Sequence, residues 1–180
     1  ATLLEEVDYI RYSTTQGTNA IVQRIGPRLG LIVAKGRDVQ ALIRNDDEKE
    51  LFGSIVGDRI GSIDLGLDGE AFESSISKAI NELISQGANR IVVSLGGKTL
   101  VADEARMKRV TLLRYPRHLL GAVPILYSHQ LSDDHDSARR TWSSLLNSFL
   151  HPEMERFLYN AENVLREHRT KNPLLIFGND

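Results

Sequence analysis

Short apolar segments alternate along this chain with segments of helical periodicity, and this alternation constrains the fold more than any other feature. The apolar segments are rich in β-branched residues and are predicted as strands at 29–34, 90–95, 123–128 and 173–177. Strands that alternate with helices are typical of an α/β domain in which most strands are parallel. The sequence therefore predicts one domain over residues 1–180, with a mainly parallel sheet and flanking helices.

The first part of the chain predicts a βαβ unit. Residues 9–13 are predicted as a strand and residues 16–25 as a short helix that leads into the strand at 29–34. Residues 36–68 carry frequent glycines, which break a segment into turns. We expect irregular structure or short antiparallel strands in that stretch.

Helices are predicted where apolar side chains recur at spacings of three and four. The clearest is 70–86, a second covers about 103–113, and a long one covers 137–168. Pro152 has no N–H to donate inside a helix, so we expect the long helix to be bent or split there.

Composition excludes several classes of protein. The 180 residues are 41% hydrophobic and 26% charged with a formal net charge of −2, which fits a globular domain without the basic face that nucleic acid requires. No apolar run approaches the roughly 18 residues that cross a bilayer. The absence of cysteine excludes disulfides and thiolate chemistry and fits a reducing compartment. We expect a cytoplasmic protein that binds neither nucleic acid nor membrane.

The segment 96–99 reads Gly-Gly-Lys-Thr and resembles the end of a nucleotide-binding phosphate loop. Such a loop needs another glycine five residues before the glycine of its Gly-Lys-Thr, because its backbone amides wrap the phosphates. Val92 stands at that position, inside a predicted strand. We therefore interpret the segment as a glycine-rich strand-to-helix turn that could line a cleft.

Two polar segments follow predicted strands. In residues 13–19, hydroxyl and amide side chains surround Gly17 where a helix begins, so they could hold an anion or could cap the helix. Ser128 and His129 follow another strand, at the edge where open α/β sheets bind ligands. His129 could be an acid or base, or could be structural.

Two further groups of polar residues leave their roles open. His135 lies among three aspartates, which could bind a divalent metal weakly but are better interpreted as a solvated loop that caps the next helix. Arg140 and Asn147 lie in the amphipathic helix 137–168, and Asn147 is close to its apolar stripe. Helical position alone does not separate a functional role from an exposed polar face.

The polar segments together resemble the hydantoinase/oxoprolinase family. Residues 12–20 (Tyr-Ser-Thr-Thr-Gln-Gly-Thr-Asn-Ala) resemble its Thr-Thr-x-x-Thr-Asn-Ala segment. Residues 30–39 resemble its Gly-Leu-Ile strand that leads into Phe-Arg-Asp, without the phenylalanine. Ser128-His129 resembles its Ser-His-Glu, with Gln130 in place of the glutamate.

The resemblance continues in order to the end of the chain. Residues 140–141 and 146–147 resemble the family's Glu-Arg-Thr and Leu-Asn-Ala, and residues 173–179 resemble the strand that runs into its Ser-Asn-Gly-Gly. Residues 44–127 contribute only their pattern of strands and helices. The order of the segments, more than any single one of them, carries the resemblance.

The resemblance implies a subdomain of the ribonuclease-H-like or actin-like ATPase superfamily. It implies ATP-dependent opening of a cyclic amide such as a hydantoin or 5-oxoproline, in which phosphorylation makes the lactam carbon electrophilic, water then opens the ring, and Mg²⁺ offsets the phosphate charge. Relatives of the family include subunits of ATP-dependent acetone and acetophenone carboxylases. A carboxylase subunit and a non-catalytic regulatory or assembly module are therefore the alternative interpretations.

The resemblance also implies a set of site residues. His129 is the expected catalytic residue. The residues expected to bind substrate or phosphate are Thr14, Thr15, Thr18, Asn19, Lys35, Arg140, Asn147 and Asn179. We expect the segment with Thr14 and Thr15 to lie near Ser128 and His129, because both follow strands whose carboxyl ends share one edge of a parallel sheet.

Two departures from the family pattern shape the expectation for this chain. Its Asp-x-Gly-Gly-Thr-x-Thr-Asp phosphate loop has no match here, and Gln130 cannot take a proton as a glutamate could. We expect an internal piece of a longer ATP- and Mg²⁺-dependent enzyme that alone neither binds ATP tightly nor hydrolyses it. Its expected partners are the rest of the parent chain, a second subunit in an oligomer, and a small-molecule substrate.

Overall fold

The structure is a computed structural model that describes residues 10–11, 15–115, 122–168 and 174–175. The chain divides into two compact units. One unit comprises Ala1–Gly26 with Leu150–Asp180, and the other comprises Pro27–Phe149.

Six strands and five α-helices lie within the described residues. The strands are β1 (Ile10–Arg11), β2 (Leu29–Ala34), β3 (Ile60–Ile63), β4 (Arg90–Val93), β5 (Ile125–Tyr127) and β6 (Leu174–Leu175). The helices are α1 (Gln16–Gln23), α2 (Asp46–Ile55), α3 (Gly69–Ser85), α4 (Leu100–Arg114) and α5 (Ser137–Glu167). Two 3-10 turns cover Gln40–Leu42 and Ser128–Gln130. No described helix combines the length and the apolar character that crossing a bilayer requires.

The larger unit is built on a four-stranded sheet in the order β3-β2-β4-β5, and every pairing in it is parallel. The chain runs outward from β2 to β3, crosses back to β4 and continues to β5. The direction of winding therefore reverses between β2 and β4. In open parallel sheets the crevice beyond the carboxyl ends of such a strand pair is where ligands bind.

Both faces of the central strands are buried, as their near-continuous apolar sequence predicts. One face packs against α3 and α4 through a cluster that includes Ile32, Ile76, Ile91 and Met107. Gly30 permits this close approach, because a Cβ there would meet Leu83 and Ala88 at 3.1–3.3 Å. Gly30 thereby allows α3 to lie close to the sheet, while α4 packs against the same cluster through Met107 and carries a central residue of the candidate site.

The expectation of irregular or antiparallel structure at 36–68 was wrong. This stretch contains α2 and β3, and β3 pairs parallel to β2. Asn45 caps α2 by accepting the backbone N–H of Glu48 at 2.8 Å. The glycines that argued against regular structure are compatible with it here, since Gly57 takes a positive φ of 56° just after the helix ends.

Two expectations about elements near the chain ends also need correction. α5 is one continuous helix through Pro152, so of the bend or split expected there, the split does not occur. The strands β1 and β6 pair with each other in parallel and do not join the four-stranded sheet. The predicted βαβ unit of 9–34 is therefore not a unit of one sheet. Helix α1 ends at Gln23 because Arg24 adopts the left-handed conformation, with φ 56°.

Candidate functional site

A buried carboxylate connects the carboxyl ends of β4 and β5. Glu104, in the first half of α4, is 0% exposed. Its Oε1 accepts the backbone N–H of Leu95 at 3.0 Å and the hydroxyl of Ser128 at 2.7 Å. Its Oε2 accepts the backbone N–H of His129 at 2.9 Å and lies 2.7 Å from Nδ1 of the same ring. Four partners therefore hold this carboxylate, and two of them belong to His129.

The contact with Glu104 fixes how the His129 ring can react. An ionised carboxylate only accepts hydrogen bonds, so Nδ1 of His129 must be the donor. In the neutral imidazole the proton then sits on Nδ1, and Nε2 presents a lone pair. The side chain is 14% exposed and forms part of the wall of an open cleft of about 600 Å³. With Nδ1 directed to Glu104, Nε2 is the ring nitrogen that remains for another partner.

Arg37 lies at the reversal of winding between β2 and β4. It follows β2, and its guanidinium donates to the backbone carbonyl and hydroxyl of Ser94 just after β4. It also donates to the Ser137 hydroxyl at 2.6 Å and to the Thr141 hydroxyl at 3.0 Å. The guanidinium therefore links the sheet edge to the start of α5 through neutral oxygens alone.

The charge of Arg37 is incompletely balanced. Burial lowers the pKa of Arg37 from its ordinary value, the positive charge of Arg140 lowers it further, and the negative charge of Glu104 opposes both effects. The glycine at 96 accommodates this guanidinium, because it takes a φ of +76° and a Cβ there would lie 3.4 Å from Arg37. The sheet edge therefore places two arginines close together.

Arg140 is buried, at 4% exposed, and forms part of the cleft wall. Its Nη1 donates to the backbone carbonyl of Asp134, and its Nε has no hydrogen-bond partner. The wall also includes Gly97 and Lys98 of the glycine-rich turn before α4. The interpretation of that turn as a cleft-lining loop therefore matches the place that the structure gives it.

The sequence-predicted residues of the larger unit do not all lie in this cleft. His129 and Arg140 line it. Lys35 is exposed at the end of β2 and pairs with Asp64 at 2.9 Å. Asn147 is exposed on α5, which is the polar-face alternative that the sequence left open. Gln130 is exposed beside His129 and does not contribute a carboxylate.

Three predicted residues of the smaller unit, Thr15, Thr18 and Asn19, are exposed. Thr15 precedes α1 without a side-chain hydrogen bond that caps the helix, and Thr18 and Asn19 are exposed within it. Thr14 and Asn179 lie outside the described residues. The proximity of this segment to Ser128 and His129 stays a prediction, because the two belong to different compact units.

The acidic loop before α5 serves as a cap. Asp136 accepts the backbone N–H groups of Ala138 at 2.8 Å and Arg139 at 3.2 Å. These bonds and the Arg44 side chain lower the pKa of Asp136. Among the described residues, no group of three or more histidine, aspartate or glutamate side chains could hold a metal ion.

Sequence reasoning missed three residues of the site. Glu104 was counted within a predicted helix without a role, although it shares the buried stripe of Met107 and Thr111 at helical spacing. A lone glutamate on an apolar stripe is the signal that could have identified it, because a buried charge needs partners. Arg37 and Thr141 carried no signal beyond the family resemblance, since their partners are distant in sequence.

Comparison with known proteins identifies the group to which this sequence is similar. The sequence profile of the hydantoinase/oxoprolinase N-terminal region matches residues 2–96, just over half of the 180 residues. The acetophenone carboxylase gamma subunit of Aromatoleum aromaticum is 29% identical over 204 aligned residues, which cover 98% of this chain and 27% of that protein.

Two solved structures share the fold. The ATP-dependent caprolactamase from Pseudomonas jessenii superimposes with a TM-score of 0.73 at 17% identity, over 97% of this chain and 27% of that one. A nucleotide-free acetone carboxylase superimposes with a TM-score of 0.72 at 20% identity, over 96% of this chain and 28% of that one. The likeness confirms the predicted α/β fold with a mainly parallel sheet. The chain spans little more than a quarter of each relative.

Proposed function

This chain belongs to the hydantoinase/oxoprolinase family, and from that premise we propose that it is part of a longer ATP-dependent enzyme that hydrolyses a cyclic amide. The family and the fold support an ATP-dependent enzyme that acts on a carbonyl compound. The assignment to cyclic amides is the finer step, and the similarity in fold to an ATP-dependent caprolactamase supports it.

One observation carries the proposal: His129 is held by buried Glu104 with Nε2 free to take a proton in the cleft. In the proposed reaction, water attacks the amide carbon and gives its proton to Nε2 of His129, which later returns it to the ring nitrogen as the C–N bond breaks, and hydrolysis releases the phosphoryl group as inorganic phosphate. The resulting imidazolium is stabilised by the Glu104 carboxylate 2.7 Å from Nδ1. An acid–base group in such a position typically contributes about 10²–10⁴ in rate. Gln130 is not required for this step.

The cleft wall suits a negatively charged cosubstrate. ATP, when bound, supplies the phosphoryl group that activates the carbonyl. Arg140 and Lys98 provide positive charge on the wall. The described residues hold no cluster of metal-ligating side chains, so Mg²⁺ would be carried mainly by the nucleotide phosphates. The remaining domains of the parent chain and a partner subunit would complete the site in a cytoplasmic oligomer.

A second candidate is a subunit of an ATP-dependent ketone carboxylase, and the similarity to the acetophenone carboxylase gamma subunit favours it. The same residue would then act on a different proton. His129 would remove a proton from the carbon beside the ketone carbonyl, and the enolate would attack the carboxyl donor. Both reactions need one oriented base, so the cleft alone supports either.

The test is ATP turnover by the full-length protein with each substrate class. Consumption of ATP with a hydantoin, 5-oxoproline or caprolactam in the absence of bicarbonate supports the cyclic-amide hydrolase. Consumption that requires both acetone or acetophenone and bicarbonate supports the carboxylase instead. No turnover with either class, by a protein that folds, supports the non-catalytic module.

Replacement of His129 by alanine should lower turnover of the active substrate by about 10²–10⁴. His151→Ala is the matched control, because His151 is exposed on α5 and lies outside the cleft. Equal turnover by the two variants would show that His129 does not take part in the reaction.

A further inference from the structure

We propose that the cleft contains a site for a small oxyanion, held by Arg140, Lys98 and the backbone N–H groups at the start of α4. The site is separate from the His129 base, although both face the same cleft. It does not depend on which reaction the parent enzyme performs.

The first support is a buried guanidinium that lacks a counter-ion. Arg140 is 4% exposed, and its Nε is buried without a hydrogen-bond partner. Its contact with Asp134 uses the backbone carbonyl and not the carboxylate. Within the described part of the chain, no carboxylate forms an ion pair with Arg140. A buried charge without a counter-ion is costly, so a bound anion would remove a penalty that the unliganded protein carries.

The second support is the charge of the neighbouring Arg37. Its guanidinium is bonded only to neutral oxygens, and Arg140 is close enough to lower its pKa. Glu104 is the nearby carboxylate that offsets this pair, and it is already engaged by four donors. The two arginines therefore carry one more positive charge than Glu104 offsets.

The third support is the start of α4. Thr99 precedes the helix and gives it no side-chain cap, and its hydroxyl donates to Asp103 in the first turn at 2.7 Å. The first backbone N–H groups of a helix have no partner within the helix and carry partial positive charge. Gly97, with φ +83° and open space where a Cβ would lie, leaves this end of the helix accessible. Lys98 is exposed beside it.

Two carboxylates on the same wall limit the size of the ligand. Asp134 is paired at 3.2 Å with Arg139, which also pairs with Asp136 at 3.4 Å. Asp133 is exposed on the same wall, so its negative charge favours one anionic group beside Arg140 over several. The chemistry therefore fits one phosphoryl or carboxylate group that reaches past Asp133 to Arg140. A bidentate arginine contact suits the planar or tetrahedral oxygens of either group.

The experiment measures the reactivity of Lys98 in the full-length protein. Its amine is acylated with limiting reagent, and the modified peptides are quantified by mass spectrometry with and without inorganic phosphate at constant ionic strength. We expect phosphate to slow acylation of Lys98 at least fivefold and to leave Lys49 unchanged, since Lys49 is exposed on α2. Because the readout is local, other anion sites in the parent chain do not contribute.

Arg140→Met tests the assignment, and Arg109→Met is its charge-matched control on the exposed face of α4. Hydrogen bonds to a charged group are worth about 1.5–3 kcal/mol. Arg140→Met should therefore raise the phosphate concentration that half-protects Lys98 from acylation by roughly 10- to 100-fold. Arg109→Met should not change it. If Arg140→Met fails to fold, Arg140→Lys is the alternative. It keeps the charge but cannot make the bidentate guanidinium contact, so it should still raise that concentration.

The contradicting results are equally specific. Lys98 without protection by phosphate, or protection that survives in Arg140→Met, overturns the site. Equal protection by chloride also overturns it, because the effect would then be general screening. Titration with acetate or bicarbonate identifies the source: stronger protection by phosphate indicates a phosphoryl group, and stronger protection by a carboxylate indicates a substrate acid. Failure here is distinguishable from failure of the proposed reaction, because no turnover is measured.

Discussion

Two acid–base pairs lie beyond the carboxyl ends of the same sheet. Their distances are similar, but the exposure of their side chains is very different. Glu104 and His129 are 2.7 Å apart, with side chains 0% and 14% exposed. Lys35 and Asp64 are 2.9 Å apart, with side chains 70% and 41% exposed. The first pair is buried at the carboxyl ends of β4 and β5. The second pair is exposed to solvent at the carboxyl ends of β2 and β3. Distance alone therefore says little about what a charged contact does.

The difference arises from what surrounds each carboxylate. Besides the ring of His129, two backbone N–H groups and one hydroxyl donate hydrogen bonds to Glu104. The carboxylate is buried, so water cannot take its place as their acceptor. Asp64 accepts Lys35 and the backbone N–H of Gly66 at 3.0 Å, and water can reach both. Solvent screens the exposed pair, whereas loss of the buried carboxylate leaves donors without partners. The buried pair should therefore dominate both stability and chemistry.

The largest effect is expected for Glu104→Ala. Removing one partner of a buried charged network typically costs about 3–5 kcal/mol, and here Leu95, Ser128 and His129 all lose an acceptor. Chemical denaturation should show the loss as a lower free energy of unfolding. Glu104→Gln keeps the shape and one acceptor oxygen, so it should lose less. A Glu104→Ala protein as stable as the wild type would mean that this carboxylate is not buried and bonded as described.

An intermediate effect is expected for Arg37→Met. The guanidinium joins Ser94 to Ser137 and Thr141, and bonds to a charged donor are each worth about 1.5–3 kcal/mol at most. The net loss should be smaller, about 1–3 kcal/mol, because Ser94 and Thr141 remain hydrogen-bonded to each other at 2.8 Å. Denaturation compares it with Arg44→Met, which removes an exposed pair with Asp136. Equal losses for the two variants would contradict the special position of Arg37.

The two pairs also show how much the sequence could predict. The strands at 29–34, 90–95 and 123–128 were found, with shorter limits at the last two, because they are continuous apolar runs bounded by turns. His129 was identified because it follows a strand. Glu104 was missed because its partners are nine, 24 and 25 residues away in sequence, and only the crossover of α4 brings them together.

The smallest effect is expected for Lys35→Ala. Exposed ion pairs contribute little, so the unfolding midpoint at neutral pH should stay within experimental scatter. Lys35 and Gly66 lower the pKa of Asp64 below its ordinary 3.8, so any stabilisation is present above that value and is lost as the pH falls below it. Wild type and Lys35→Ala should therefore differ least at acidic pH. A substantial loss of stability at neutral pH would mean that this exposed pair contributes as much as the buried one.

The central claim is that Glu104 holds His129 with the proton on Nδ1 and a free Nε2, and ¹⁵N NMR of the histidine rings tests it most directly. The neutral ring of His129 should show a protonated Nδ1 and a bare Nε2, whereas the exposed ring of His151 should exchange between both forms. In Glu104→Gln, the preference at His129 should weaken. A neutral His129 protonated on Nε2, or one that averages like His151, would contradict the account.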